Sequence, residues 1–125
     1  SSMKDKKFDL QDRLVDFAVR IIKLAEVLPN TKTGNHIQGQ LLRSGTSPAP
    51  NYGEVQGAES AADFIHKLKI ALKELRETEV WLKIITKSQL IIPTSKISPL
   101  LEEADELISI LFTSVKTAKE NRKKD

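Results

Sequence analysis

Residues 40–82, QLLRSGTSPAPNYGEVQGAESAADFIHKLKIALKELRETEVWL, decide how this chain folds. A polar run broken by Pro48 and Pro50 leads to Gly57, and the longest helical pattern in the chain follows. There Phe64, Leu68, Ala71, Leu75, Thr78, Leu82 and Ile85 recur at steps of four and three, the rhythm of a helix with one buried stripe. Ser60 is placed to cap its start, and Asp63 in the first turn suits the positive end of the helix dipole. Beside this stripe runs a mixed line of Asp63, Ile70, Glu74, Glu77, Trp81 and Ile84. A lone four-helix bundle needs one apolar stripe per helix. Ile70, Trp81 and Ile84 therefore predict a second buried surface, an oligomer interface.

On the N-terminal side, Leu10, Leu14, Phe17, Ile21, Leu24 and Leu28 predict a helix over 9–27, with Val15, Ala18, Ile22 and Ala25 widening its face. Pro29-Asn30 ends it, and the short loop 29–34 makes the next helix return antiparallel. That second helix starts near Gly34 or Asn35. Ile37, Leu41, Pro48, Tyr52 and Val55 share one side, and Gln40, Ser44, Ser47, Asn51 and Glu54 form an adjacent polar line. The two prolines predict a break at Gly45-Thr46, with Ser47 capping a resumed segment and Pro48 at its first position. Gly53 and Gly57 weaken this half or permit a close backbone approach.

On the C-terminal side, residues 88–98 read as a connector, with Ser98 as cap and Pro99 at the first helical position. Leu101, Ala104, Ile108, Leu111, Val115 and Ala118 then mark the last helix, widened by Leu100, Leu107 and Phe112. The expected fold is all-α: an antiparallel up-down-up-down four-helix bundle in one domain over 1–125, with helix 2 kinked or split near Pro48.

With 39% apolar and 30% charged residues, the chain is too apolar to be disordered. It has no cysteine, so neither a disulfide nor a thiolate metal site can form. Its apolar runs are too short to span a bilayer and no signal peptide is visible, so a cytoplasmic protein is expected. Ser1 and Ser2 ahead of Met3 read as a remnant of expression.

The net charge is +3, and its placement matters more than its size. Residues 4–7 hold three cations and one acid, and residues 116–125 hold five cations and two acids, which leaves the body near −2. The basic tails, about 1–7 and 116–125, offer Lys4, Lys6, Lys7, Lys116, Lys119, Arg122, Lys123 and Lys124 to an anionic partner such as RNA or DNA. The alternative is solvated ends that aid solubility. In an up-down bundle both tails lie at the same end.

Catalytic and metal patterns are missing from the sequence. A di-iron bundle needs Glu-x-x-His on two helices, and the nearest match, Asp63-x-x-His66, occurs once. Two histidines without cysteine give no nucleophile arrangement, and the glycines do not fit a phosphate-cradling loop. The expectation is no enzyme, no metal and no cofactor. Arg43, Glu74 and Glu77 stand out instead, as an ion pair where helices or subunits meet, or as glutamates pairing along an exposed helix. The few aromatics fall on packing stripes, so any nucleic-acid binding is led by charge and shape.

The runs Gln40-Leu-Leu-Arg43-Ser44-Gly-Thr-Ser47, Asn51-Tyr-Gly-Glu54, Ser60-Ala-Ala-Asp63-Phe64-Ile65 and Ala71 to Leu82 resemble the small four-helix-bundle proteins encoded by intervening sequences of bacterial 23S rRNA genes. The resemblance extends from Phe8 to about Ile110. It implies a homopentamer and a polar motif of Arg43, Ser44, Ser47, Asn51, Glu54, Ser60, Glu74 and Glu77. It also implies kinship with the Avd accessory protein of diversity-generating retroelements, a pentamer that binds nucleic acid and a reverse transcriptase. Pro48, Pro50 and Tyr52-Gly53 depart from the family's smoother helix 2. The family implies no enzymatic activity.

Overall fold

A computed structural model describes the backbone of residues 3–124 and the side chains of residues 10–123. The helices are α1 (Met3–Glu26), α2 (Lys32–Thr46), α3 (Pro48–Gly53), α4 (Ala61–Ser88) and α5 (Ser98–Lys124), with single 3₁₀ turns at Val55–Gly57 and Thr94–Lys96. No strand occurs among the described residues. α2 and α3 form one arm, so four arms make the bundle.

Side-chain contacts give the direction of each arm. Gln11, early in α1, donates to the carbonyl of Ala49 in α3, while Gln38 in α2 donates to that of Ala25 near the end of α1. Arg43 reaches Glu74, and Glu54 further along the second arm meets Lys67. Arg76 of α4 lies over Phe112 of α5, and Arg13 of α1 pairs with Glu103 near the start of α5. Neighbouring arms are therefore antiparallel, and α1 begins at the end where α5 finishes. Leu14, Phe17, Ile21, Leu41, Leu68, Leu75, Leu82, Ile85, Leu107 and Leu111 are fully buried between the arms. Each such side chain stabilises the fold by about 1.5–3 kcal/mol.

The second arm divides where the prolines demand, but not by capping. Ser47 is helical (φ −74°, ψ −36°), and its side chain makes no cap hydrogen bond. The chain passes from α2 to α3 without leaving helical geometry, although Pro48 disfavours the α region at Ser47 and removes a backbone donor. The Ser47 hydroxyl instead accepts from Asn51. Ser98 is likewise already helical rather than a cap, since the Thr94–Lys96 turn leads directly into α5. At α4 the cap is as expected: the Ser60 hydroxyl accepts from the Asp63 amide, and the Asp63 carboxylate accepts from the Glu59 amide.

Two glycines mark close approaches, and neither is Gly53 or Gly57. A Cβ on Gly45 would meet Ile21 of α1 at 2.6 Å, and one on Gly34 would meet the Pro29 carbonyl at 1.9 Å. At Gly53 such a Cβ would make only ordinary contact, and at Gly57 none. Several expected stripe residues face solvent: Val15, Ile22, Phe64 and Phe112 are exposed. The connector supplies core instead, through buried Ile91 and Ile97. The basic C-terminal run forms the last turns of α5 rather than an arm beyond it. Among the described residues no helix is long and apolar enough to cross a membrane.

Candidate functional site

The polar residues singled out on the second arm and on α4 meet along one seam. Arg43 Nη1 donates to Glu74 Oε2 at 2.8 Å, and its Nη2 donates to Glu77. Glu77 also accepts from the Trp81 indole at 3.1 Å. The His36 ring stands edge-on to Trp81, with centroids 6.2 Å apart. One guanidinium thus holds two carboxylates from successive turns, and the second carboxylate fixes the indole. Glu74 is buried, while Arg43 is half open to solvent. Charge-assisted bonds of this kind order a seam between helices.

Deeper in the seam, the Thr78 hydroxyl donates to the Glu74 carbonyl at 2.8 Å and accepts from the buried Ser44 hydroxyl at 2.9 Å. Ser44 and Thr78 are both fully buried, so the polar line of α2 dips into the core here. Beyond the break, Ser47 and Asn51 bond each other, and Glu54 lies 3.9 Å from Lys67. Ser60 stands apart as the cap of α4. Every buried side-chain polar atom among the described residues has a partner.

The three apolar candidates on α4 differ in setting. Trp81 is half-buried and packs partly against its own core. Ile70 is half-buried, whereas Ile84 and neighbouring Val80 are exposed. On α5, Lys116, Lys119, Arg122 and Lys123 are all exposed. The side chains of Lys4, Lys6, Lys7 and Lys124 lie outside the described residues.

Two features escaped the sequence reading. The first is an ion cluster between α1 and α5, in which Arg13 contacts Glu103 at 2.8 Å and Glu106 at 3.0 Å. The hydrogen bond to Glu103 pushes the Arg13 pKa further up, with Glu106 adding to it, against partial burial. Nothing in the spacing pairs residues this far apart. The second is the outward line of α4: Lys69, Lys73, Arg76, Lys83 and Lys87, all exposed. Its four-three-seven-four spacing was legible, but the apolar and mixed lines of the same helix drew the reading.

Near the α1 start, two adjoining open hollows of about 420 and 350 Å³ share Val55, Phe64, Ala118 and Asn121. Arg122 lines the first and Tyr52 the second, where burial raises the tyrosine pKa. No cluster of three or more metal-ligating side chains occurs among the described residues.

A sequence profile for the 23S rRNA-intervening sequence protein family matches residues 6–113, which contain the whole Arg43–Glu74–Glu77–Trp81 seam. The chain belongs to this family. A solved structure is similar: a protein of unknown function from the S23 ribosomal protein family of Bacteroides thetaiotaomicron VPI-5482. It is 37% identical, with a TM-score of 0.79 over 86% of this chain and 98% of that one. No curated protein matches significantly. The family match ends before Lys116, so the basic turns of α5 lie beyond it.

Proposed function

We propose that this chain is a non-enzymatic, oligomeric helical bundle of the cytoplasm that binds RNA or a ribonucleoprotein through exposed basic surface. The carrying observation is the end of α5, where Lys116, Lys119, Arg122 and Lys123 all face solvent within two turns. Clustered cations of this kind bind phosphate by releasing its counterions. The α1 start, with Lys4, Lys6 and Lys7 in its sequence, reaches the same end, so subunits in a ring would pool the charge. The names of the family and of the Bacteroides protein, with their references to 23S rRNA and a ribosomal protein, are in keeping with an RNA setting.

Exposed Ile84 beside half-buried Trp81 and Ile70 supports self-association, and the resemblance suggests a pentamer. The same apolar line also favours a second reading, a scaffold for another protein such as the reverse transcriptase of a diversity-generating retroelement. Purification from the native host, with and without nuclease, separates the two. Nucleic acid in the untreated eluate is expected, together with loss of any co-purifying protein after nuclease. A protein partner that survives nuclease, with no nucleic acid recovered, would replace the first reading by the second.

A further inference from the structure

The outward line of α4 is almost wholly basic. Lys69, Lys73, Arg76, Lys83 and Lys87 keep to one face, broken only by Val80, and all are exposed. Lys83 lies 3.6 Å from Glu79, whereas no carboxylate among the described residues pairs with Lys69, Lys73, Arg76 or Lys87. From Lys69 to Lys87 the row spans about 27 Å at 1.5 Å per residue. That equals roughly eight base-pair steps of a B-form DNA duplex at 3.4 Å each, and somewhat more of a shorter-rise A-form RNA duplex.

α5 extends this row sideways. Arg76 stacks on the Phe112 ring at 5.8 Å, which fixes the two helices side by side. Lys116 and Lys119 follow Phe112 at steps of four and three on the same face of α5. Because α5 runs antiparallel to α4, they come alongside Lys73 and Lys69. Exposed Glu120 flanks this part of α5, exposed Asp105 lies seven residues before Phe112 on the same face and comes alongside Lys83, and Glu74 and Glu77 are turned to Arg43 on the other flank.

The row offers no base-stacking platform. Arg76 covers Phe112, and the indole of Trp81 is tied to Glu77 in the seam. Single strands are held largely by stacking on aromatic faces, whereas duplexes present a regular array of phosphates to a rigid cationic surface. We propose that Lys69, Lys73, Arg76 and Lys87 of α4, with Lys116 and Lys119 of α5, form a binding face for the phosphate backbone of base-paired nucleic acid. The proposal rests on the nucleic-acid reading above and gives it a place and a ligand class.

Fluorescence anisotropy with an end-labelled RNA duplex of roughly 20 base pairs, from about 50 to 200 mM salt, tests it. A Lys69→Gln, Lys73→Gln, Lys87→Gln variant is compared with an Arg122→Gln, Lys123→Gln, Lys124→Gln variant, which leaves the proposed face intact, each with unchanged helicity by circular dichroism. The α4 variant is expected to lose about 2 to 3 units of log-log salt slope and at least about tenfold in affinity. The duplex is expected to bind more tightly than either of its separated strands. A DNA duplex of the same sequence identifies the source, and preference for either duplex supports the face. Unchanged slope and affinity in the α4 variant, with loss confined to the α5 variant, would remove the α4 face and leave nucleic-acid binding standing. Tighter binding of the single strand would overturn the duplex assignment. No binding by the wild-type protein would overturn both readings.

Discussion

Gly45 shows how one residue sets the spacing of two arms. Its missing side chain lets α2 approach Ile21 of α1 to a distance where a Cβ would overlap at 2.6 Å. Gly45→Ala is expected to destabilise by about 1–3 kcal/mol, the usual result of overpacking a core. Urea denaturation measures it, and an unchanged midpoint would mean that the helices can move apart freely. Tyr52 is the only tyrosine in the chain, so absorbance reports its titration alone. Burial raises its pKa above the ordinary 10.0, because the charged ring is poorly solvated there. Its stabilising effect is complete below about pH 10 and is lost as pH rises through the folded value. Wild-type melting temperature should fall more steeply above pH 10 than that of Tyr52→Phe, and parallel curves would place Tyr52 in water. At this scale the sequence revealed residue types better than partners. Thr78 was legible as a core position and Ser44 as a polar one, but their hydrogen bond needs the two helices in register.

Local signals were legible for elements wherever a single residue settles the backbone. Ser60 caps α4 as its position announced, and Ser60→Ala should cost about 1 kcal/mol in urea denaturation. A change well below that would show the cap exchanging with water at no loss. Ser47 and Ser98 carry the same signal before a proline, yet both are helical. In each case the preceding turn already continues in helical geometry, so the proline marks missing donors rather than a new start. The outer positions of wide stripes were also misjudged: Val15, Ile22, Phe64 and Phe112 sit at the margin of their faces, where the bundle leaves them uncovered. Buried Ile91 and Ile97 had no periodicity to announce them, because they belong to the connector. In the seam, Arg43, Glu74 and Glu77 were nameable as a group from helix faces alone. The Arg13 cluster joins α1 to α5 and has no such local signature.

At the scale of the whole molecule, apolar surface and charge lie on different flanks. Ile84 is exposed on the seam side of α4, while the cations of α4, with Val80 among them, and those of α5 look outward. Self-association through the first would leave the second free for an anionic ligand. Ile84→Glu is therefore expected to reduce the mass measured by light scattering from that of an oligomer to that of a 14.0 kDa chain that keeps its helicity by circular dichroism. An oligomeric mass unchanged by the substitution would place the subunit contact elsewhere, and a wild type of 14.0 kDa would remove it. The up-down fold was legible because four periodic stripes and short loops admit few topologies. The ridge on α4 was not read, because a solvent-facing lysine line resembles ordinary solubilising surface until a neighbouring helix adds to it. The most direct measurement of the central claim is the affinity of the wild-type protein for RNA as a function of salt. Charge-led binding through at least four exposed cations gives a log-log slope of about −4 or steeper. A slope near zero, or no binding at about 50 mM salt, would contradict it.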